Sequence, residues 1–403
     1  MKRAILSTVL CALLSASFAE TLGVNLSEKP VTNGFADMGK LSYGKKIVTI
    51  DDKSYPNPID KRKAFTKAIA SGSSATIIVS GDIDLSDGKI SDDDHSYFDK
   101  FDSGAHKRVH DDIVYPVSSN KTILGKDNAR IMFGGLSFLT GKNLIIRNVT
   151  FWDAHGSTEY STETKPESKA SADALVIWDK QSPLPSNIWI DHCTFTDGKC
   201  VDMQRNFNHD GSIDICGGKN ITISYCEFTN HDKVLLVASG EKFKEPEERQ
   251  VTLHHNYFHN VTQRLPRSRG TQMHVYNNVY DDIGVPNNGG YMFGPGTGSM
   301  YIVENNYIGS HLAHIVSYFD KSEESDKSFS RFYESGNSVK IEEKDVKWDG
   351  AEKTRNFKAH FVQSKSEIPW KIPYKYEMEP FEDARQKAMN GEMGANQKIE
   401  INN

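Results

Sequence analysis

The chain is poor in cysteine, in long apolar runs and in net positive charge, and each shortage excludes a class of protein. Five cysteines occur in 403 residues, and one of them, Cys11, lies in an N-terminal stretch treated separately below. No CxxC spacing or matching histidine pair accompanies the other four, which argues against a zinc site. Past the first twenty residues, no apolar run is long enough to cross a bilayer, so no membrane partner is expected. The formal net charge of −6 argues against nucleic acid as a partner. A polyanionic ligand must then be drawn by a local basic patch and not by the field of the whole molecule. Amphipathic helical periods between the strand-like segments are also missing, which excludes an alternating βαβ sheet.

What is present begins with an export signal. Lys2 and Arg3 give a positive start, Ala4–Leu14 an apolar run too short to span a membrane, and Ser17-Phe18-Ala19 a small-residue cleavage site. Residues 1–19 are therefore expected to be a signal peptide and the product to be secreted. Losing Lys2 and Arg3 with that segment takes the formal net charge from −6 to −8. Residues 20–58 read as coil with a short strand near Lys46–Ile50. Asp60–Ala70 has helical spacing with Asp60 as N-cap, and Ala75–Leu85 alternates as a strand does. Residues 86–115 are polar and acidic and read as a solvated loop.

From Val117 a repeat appears. Ile146–Phe151, Ile190–Phe195, Ile223–Phe228, Leu253–Phe258, Val275–Tyr280 and Val303–Ile308 each begin on an aliphatic residue and end, five places on, on an aromatic or aliphatic one. Their fourth positions are Val149, Cys193, Cys226, Asn256, Asn278 and Asn306. Successive starts lie 44, 33, 30, 22 and 28 residues apart. Units this short cannot fold alone and must stack. The pattern predicts an all-β, single-stranded right-handed parallel β-helix, with the uneven spacing taken up by functional loops on one face. The asparagines are expected inside, as a hydrogen-bonded ladder. Residues 20–403 then form one elongated domain, with 311–403 as a last coil and a tail packed along the β-helix that caps its open end. Cys193 and Cys226 share one repeat position on neighbouring coils, which leaves two readings open: a disulfide, with Cys200–Cys216 as the second pair, or buried thiols within the ladder.

The stretch His209–Tyr280 carries the chemistry. It contains HDGSID (209–214), NHDKVLL (230–236) and RLPRSRG (264–270). Asp210 and Asp214 suit a hard cation, while Lys233 and the forks of Arg264, Arg267 and Arg269 suit an anionic substrate. Asp-Gly is also a common turn, so Asp210 alone would read as a turn residue.

These motifs, with IWIDHCTFTDG (188–198), ITISYCEFTNHDKVLL (221–236), QRLPRSRGTQMHVYNNVY (263–280), SNKTILG (119–125) and NLIIRNVTF (143–151), resemble the polysaccharide lyase family that contains the pectate lyases. The resemblance runs from about Ala75 to about Ile308. It implies a parallel β-helix enzyme that cleaves α-1,4-linked polygalacturonate by β-elimination with calcium. Asp173, Asp210 and Asp214 match the calcium ligands. Arg264 matches the residue that removes the C5 proton, and the surrounding cations disfavour its charge. Lys233 and Arg269 match binders of substrate carboxylates, and Arg267 joins them on the basic fork. Ser171 stands where the family often has a further acidic residue. Asp191 and His192 of WIDH are assigned a structural role. A monomer is expected. Two competing readings are a pectin lyase acting on the methyl ester without calcium and a non-catalytic β-helix that binds polysaccharide. The retained aspartates and Lys233 weigh against the first, and Arg264 beside them weighs against the second.

Overall fold

The computed structural model describes residues 21–94, 113–155, 173–177, 184–199, 209–238, 240, 246–284, 290–309, 314–321, 323, 326, 328–341, 344–347, 354–355 and 360–402. The expected signal peptide, Ser171 and Cys200 lie outside these residues.

Short strands stack in parallel in three columns, which is a parallel β-helix. One column runs from Lys46–Ile50 through Ala75–Asp84, Lys121–Met132, Lys142–Arg147, Ser186–Asp191, Gly218–Ser224, Arg249–His254, Gln272–Tyr276 and Met300–Glu304 to Arg331–Ser335. The six predicted repeat starts fall in one register: Ile146 pairs with Ile190, then Ile223, Leu253, Val275 and Val303 follow, one coil each. The aromatic repeat ends also stack. Phe151, Phe195, Phe228, Phe258 and Tyr280 lie face to face, with centroids 4.8–5.0 Å apart and planes within 9°. That spacing is the interstrand distance of a sheet, so the core is filled by like residues one coil above another.

Between these two positions the chain turns a corner. The third residue of every repeat, Asn148, His192, Tyr225, His255, Asn277 and Asn305, has a positive φ of 47–59°. Asparagine tolerates this left-handed conformation well. The bulkier residues there are held by stacking, His192 on Tyr225 and Tyr225 on His255, with centroids 4.9 and 4.7 Å apart. The fourth residues form the expected ladder. The backbone N–H of Cys226 donates to Asn256 Oδ1, that of Asn256 to Asn278, that of Asn278 to Asn306 and that of Asn306 to Asn337, each at 2.9 Å. Asn337 adds a coil beyond the last predicted repeat. Cys193 and Cys226 occupy the ladder as free thiols, the Cys193 N–H donating to Cys226 Sγ at 3.4 Å. Of the two readings left open, the buried thiols hold and the disulfide is not formed: the sulfurs fill the places that asparagine amides take further along, and each makes ladder contacts of its own.

One terminal expectation is corrected. The first helix is Pro58–Ala70, capped by Asn57, whose side chain accepts from the Ile59 and Asp60 N–H groups. Proline suits the first turn because it brings no N–H to satisfy, so Asp60 lies inside the helix and not at its cap. Phe65 and Ile69 of this helix are buried in the main core. Parallel coils continue past residue 311 with His314–Ser317 and Arg331–Ser335. The tail then runs back along the flank of the stack. Tyr374 bonds Thr252 and His274, Glu379 meets His255 and Asn277, helix Phe381–Met389 packs on Val279 and Tyr307, and Lys398–Asn402 pairs with Thr21–Asn25. Asp191 has the structural role expected of it. It is buried against Arg147, His192 and Ser224, and these partners hold its carboxyl below the usual range although burial alone would raise it.

Candidate active site

The predicted functional residues leave one column of strands on adjacent coils. Gly211–Ile215 lies between Leu175–Ile177 and the end of Glu227–Val237, with Asp214 level with Val176 and Leu236 and Gly211 level with Lys233. Asp173 precedes the first of these strands. Arg267 and Ser268 lie one coil further, level with Leu236 and Val237. Residues up to about ninety positions apart thus converge because the coils stack in register.

Asp173 and Asp214 converge on Gly211. The Gly211 N–H donates to Asp173 Oδ1 at 2.5 Å. A Cβ on Gly211 would lie 2.6 Å from Asp173 Oδ1 and 2.8 Å from Asp214 Oδ1, so only glycine leaves this space open. Asp214 Oδ1 is buried with no hydrogen-bond partner among the described residues. Burial, then the charge of Asp210, pushes the Asp214 carboxyl up to about 7 against the pull of Arg264 and Lys233. Burial and the charges of Asp214 and Asp210 raise Asp173 as well. Lys233, itself buried, forms an ion pair with Asp210. Asp173 and Asp214, whose burial and mutual repulsion disfavour ionisation, with the half-exposed Asp210 beside them and a space kept open by glycine, fit a hard cation bound through oxygen.

The arginines border this cluster. Arg264 has a positive φ of 63° and precedes a cis Leu265–Pro266 bond, and its carbonyl accepts from the Leu235 N–H at 2.8 Å. Its Nε and that of Arg267 are buried with no hydrogen-bond partner among the described residues. The Arg267 guanidinium lies 4.1 Å from the centroid of the Phe319 ring, a cation–π contact that holds it flat. Burial lowers its pKa, and Arg269 and Arg264 add to that. Arg269 is buried, with Nη1 donating to the Ala238 carbonyl at 3.4 Å. The structure therefore brings Asp173, Asp210, Asp214, Lys233 and Arg264 together, with Arg267 and Arg269 in the same strand column. Sequence reasoning missed the spacer role of Gly211, although the glycine of HDGSID was a visible signal. It also missed Phe319, which lies beyond the repeat and carries no motif.

A parallel β-helix with an acidic and basic cluster on one column is the architecture of a polysaccharide lyase. The thermostable pectate lyase PL 47 shares the fold with a TM-score of 0.65 at 26% identity, over 91% of this chain and 97% of that one. A family model described as pectate lyase matches residues 10–381, and the chain belongs to that family. A pectate trisaccharide-lyase of Thermotoga sp. is 41% identical over 169 residues, 41% of this chain and 40% of that protein. A pectate lyase of Bacillus subtilis is 33% identical over 228 residues, 51% of this chain and 52% of that protein. The chain thus spans about half or less of the length of these curated relatives.

Proposed function

We propose that the protein is a secreted, calcium-dependent pectate lyase that cleaves α-1,4-linked polygalacturonate by β-elimination. The observation that carries this reading is the convergence of Asp173 and Asp214 on Gly211, beside Asp210, Lys233 and Arg264. The names of the relatives point to the same substrate. Secretion rests on the N-terminal sequence. Among the described residues no helix is long and apolar enough to cross a membrane.

Asp173, Asp210 and Asp214 would hold a calcium ion, which would neutralise a substrate carboxylate and so stabilise the extra negative charge that builds on it. Lys233 lies within reach of the same carboxylate and stabilises the charge that builds on it as the neighbouring C5–H bond breaks. Arg264, in its neutral form, takes the C5 proton onto a guanidine nitrogen. The C5 electron pair becomes the C4–C5 double bond, the C4–O bond breaks, and water protonates the leaving oxygen. Arg267, fixed by Phe319, and Arg269 orient neighbouring uronate carboxylates.

The test is ultraviolet absorbance of the unsaturated product from polygalacturonate or methylated pectin, with and without chelator. Product from polygalacturonate that chelation abolishes and calcium restores supports the assignment. Full activity after chelation removes the metal. Preference for the methyl ester indicates a pectin lyase, and no product from either substrate a binding protein.

A further inference from the structure

The side chains immediately before Lys233 and Arg264 are bonded to each other across neighbouring coils, and the mechanism above uses neither of them. Asp232 precedes Lys233, and Gln263 precedes Arg264. Gln263 Nε2 donates to both oxygens of the Asp232 carboxylate, at 3.2 and 3.3 Å. The backbone repeats the link. Lys233 and Gln263 are level in the register, and the Leu235 N–H donates to the Arg264 carbonyl at 2.8 Å. Asp232 is buried, with 4% of its surface exposed, while Gln263 is half-buried. Burial raises the Asp232 pKa, and the Gln263 hydrogen bond with the charges of His231, Lys233 and Arg264 offsets only part of that rise. A carboxylate in such a place is costly unless it is hydrogen-bonded, so Gln263 and Asp232 hold each other.

Arg264 needs a hold of this kind. Its φ of 63° lies in the left-handed region, where a long side chain persists only if the surroundings impose it. Its Nε is buried with no hydrogen-bond partner among the described residues, so no bond at that atom aims the guanidinium. The direction of the side chain is set by the backbone that Gln263 leads into. Lys233, by contrast, is fixed by its own ion pair with Asp210.

The reaction makes the spacing of Arg264 and Lys233 decisive. C5 is bonded to the carboxylate carbon, so the departing proton and the group that takes up charge belong to one small part of one sugar. Once Lys233 grips that carboxylate, the place of Arg264 relative to Lys233 decides whether its nitrogen reaches the C5 proton. An error of about 1 Å in such an alignment costs roughly 10²-fold in rate.

We propose that Asp232 and Gln263 are positioning residues for the base: Asp232 holds Gln263, and Gln263 sets Arg264 at a fixed distance from Lys233. The proposal rests on the functional reading above, in which Arg264 takes the C5 proton and Lys233 grips the carboxylate.

The test reverses the pair. Gln263→Glu removes the donor and sets two carboxylates side by side. Adding Asp232→Asn restores a donor and an acceptor with their roles exchanged, because asparagine carries an N–H group and an ionised carboxylate only accepts. These full-chain variants, with Gln263→Leu and Arg264→Lys, are compared with the wild type. Turnover and KM are measured on polygalacturonate at saturating calcium, calcium affinity by titration calorimetry, and melting by circular dichroism. Turnover of Gln263→Glu should fall about 10²-fold, with KM and calcium affinity close to those of the wild type. The double variant should recover most of that turnover. Gln263→Leu removes the donor without adding charge and should lose turnover in the same way; it decides if either glutamate variant does not fold. A merely structural pair would lower the melting temperature and leave turnover of the folded protein unchanged, which overturns the proposal. A loss confined to KM also overturns it, because Gln263 would then act as a substrate ligand, and so does a double variant no better than Gln263→Glu. Near-normal turnover in Arg264→Lys overturns the reading of Arg264 as base and this proposal with it. An inactive Arg264→Lys beside unimpaired Gln263 variants overturns this proposal alone.

Discussion

Replacing Asp214 with asparagine should stabilise the calcium-free protein at pH 8 and leave it nearly unchanged at pH 4. The folded pKa of Asp214 is raised from 3.8 to about 7, so the folded state binds more protons than the unfolded state between those values. Stability therefore falls as pH rises through that window, and the loss is complete above the folded pKa. At about 1.36 kcal/mol per unit, the shift corresponds to roughly 4 kcal/mol as an upper figure, because water reaches part of this carboxylate. Asparagine does not ionise and escapes the cost, and it also relieves Asp173, whose pKa the charge of Asp214 helps to raise. Unfolding entropy of about 2.1 cal/mol/K per residue makes ~4 kcal/mol worth roughly 5 °C in a chain of this size. The assay is thermal melting of both proteins in chelator, from pH 4 to pH 8. The variant should match the wild type at pH 4 and melt up to about 5 °C higher at pH 8. Saturating calcium should reverse the order, because only the wild type keeps the full ligand set. A calcium-free variant that melts below the wild type at pH 8 would refute the claim that these carboxylates are held together against their own repulsion.

Three further outcomes follow from the same geometry. Arg264→Lys should lose at least the roughly 10²- to 10⁴-fold in turnover typical of general base catalysis, with calcium still bound, whereas Arg269→Lys should chiefly raise KM; steady-state kinetics at several pH values separate them. Asn278→Ala interrupts the ladder, leaves the N–H of Asn256 and the carbonyl of Leu253 short of a partner, and should cost about 3 kcal/mol in denaturant unfolding. Peptide mapping under non-reducing conditions should find Cys193 and Cys226 unlinked, because both thiols are free in the ladder; a Cys193–Cys226 peptide would contradict the fold as described.

Much of the coil stack was legible in the sequence because each coil repeats the same demands. An aliphatic residue fills the core, a polar or aromatic corner follows, and a ladder residue and an aromatic core residue come after it. Ile146, Ile190, Ile223, Leu253, Val275 and Val303 could be aligned by eye, and the register places them one above another. The corner itself was not seen. Its six residues share a backbone conformation but not a side-chain type, and His192 and Tyr225 do not signal a positive φ as asparagine does. Asn337 was missed for a different reason. Its coil is reached through a polar, charged segment that hides the repeat. The thiols of Cys193 and Cys226 were placed correctly on neighbouring coils, but position alone does not tell a disulfide from a ladder of sulfurs.

The site was legible only where its residues cluster along the chain. Asp210 and Asp214, or Arg264, Arg267 and Arg269, form local patterns that can be matched to a family. The buried pairs Asp153–His209 and Asp197–His231 have no such pattern, since their members are 56 and 34 residues apart. In a stacked-coil fold the nearest neighbour of a side chain is often one coil away, about thirty residues off and at a distance set by the loops between. Networks that run along the stack therefore leave no fixed spacing in the sequence. What does remain is the position of each histidine relative to a functional residue, His209 one place before Asp210 and His231 two places before Lys233. Each half reads as part of its own motif. Only the register that sets Gly211 level with Lys233 brings the two motifs side by side, so the pairing of Asp210 with Lys233 is a property of the coil stack and not of either motif.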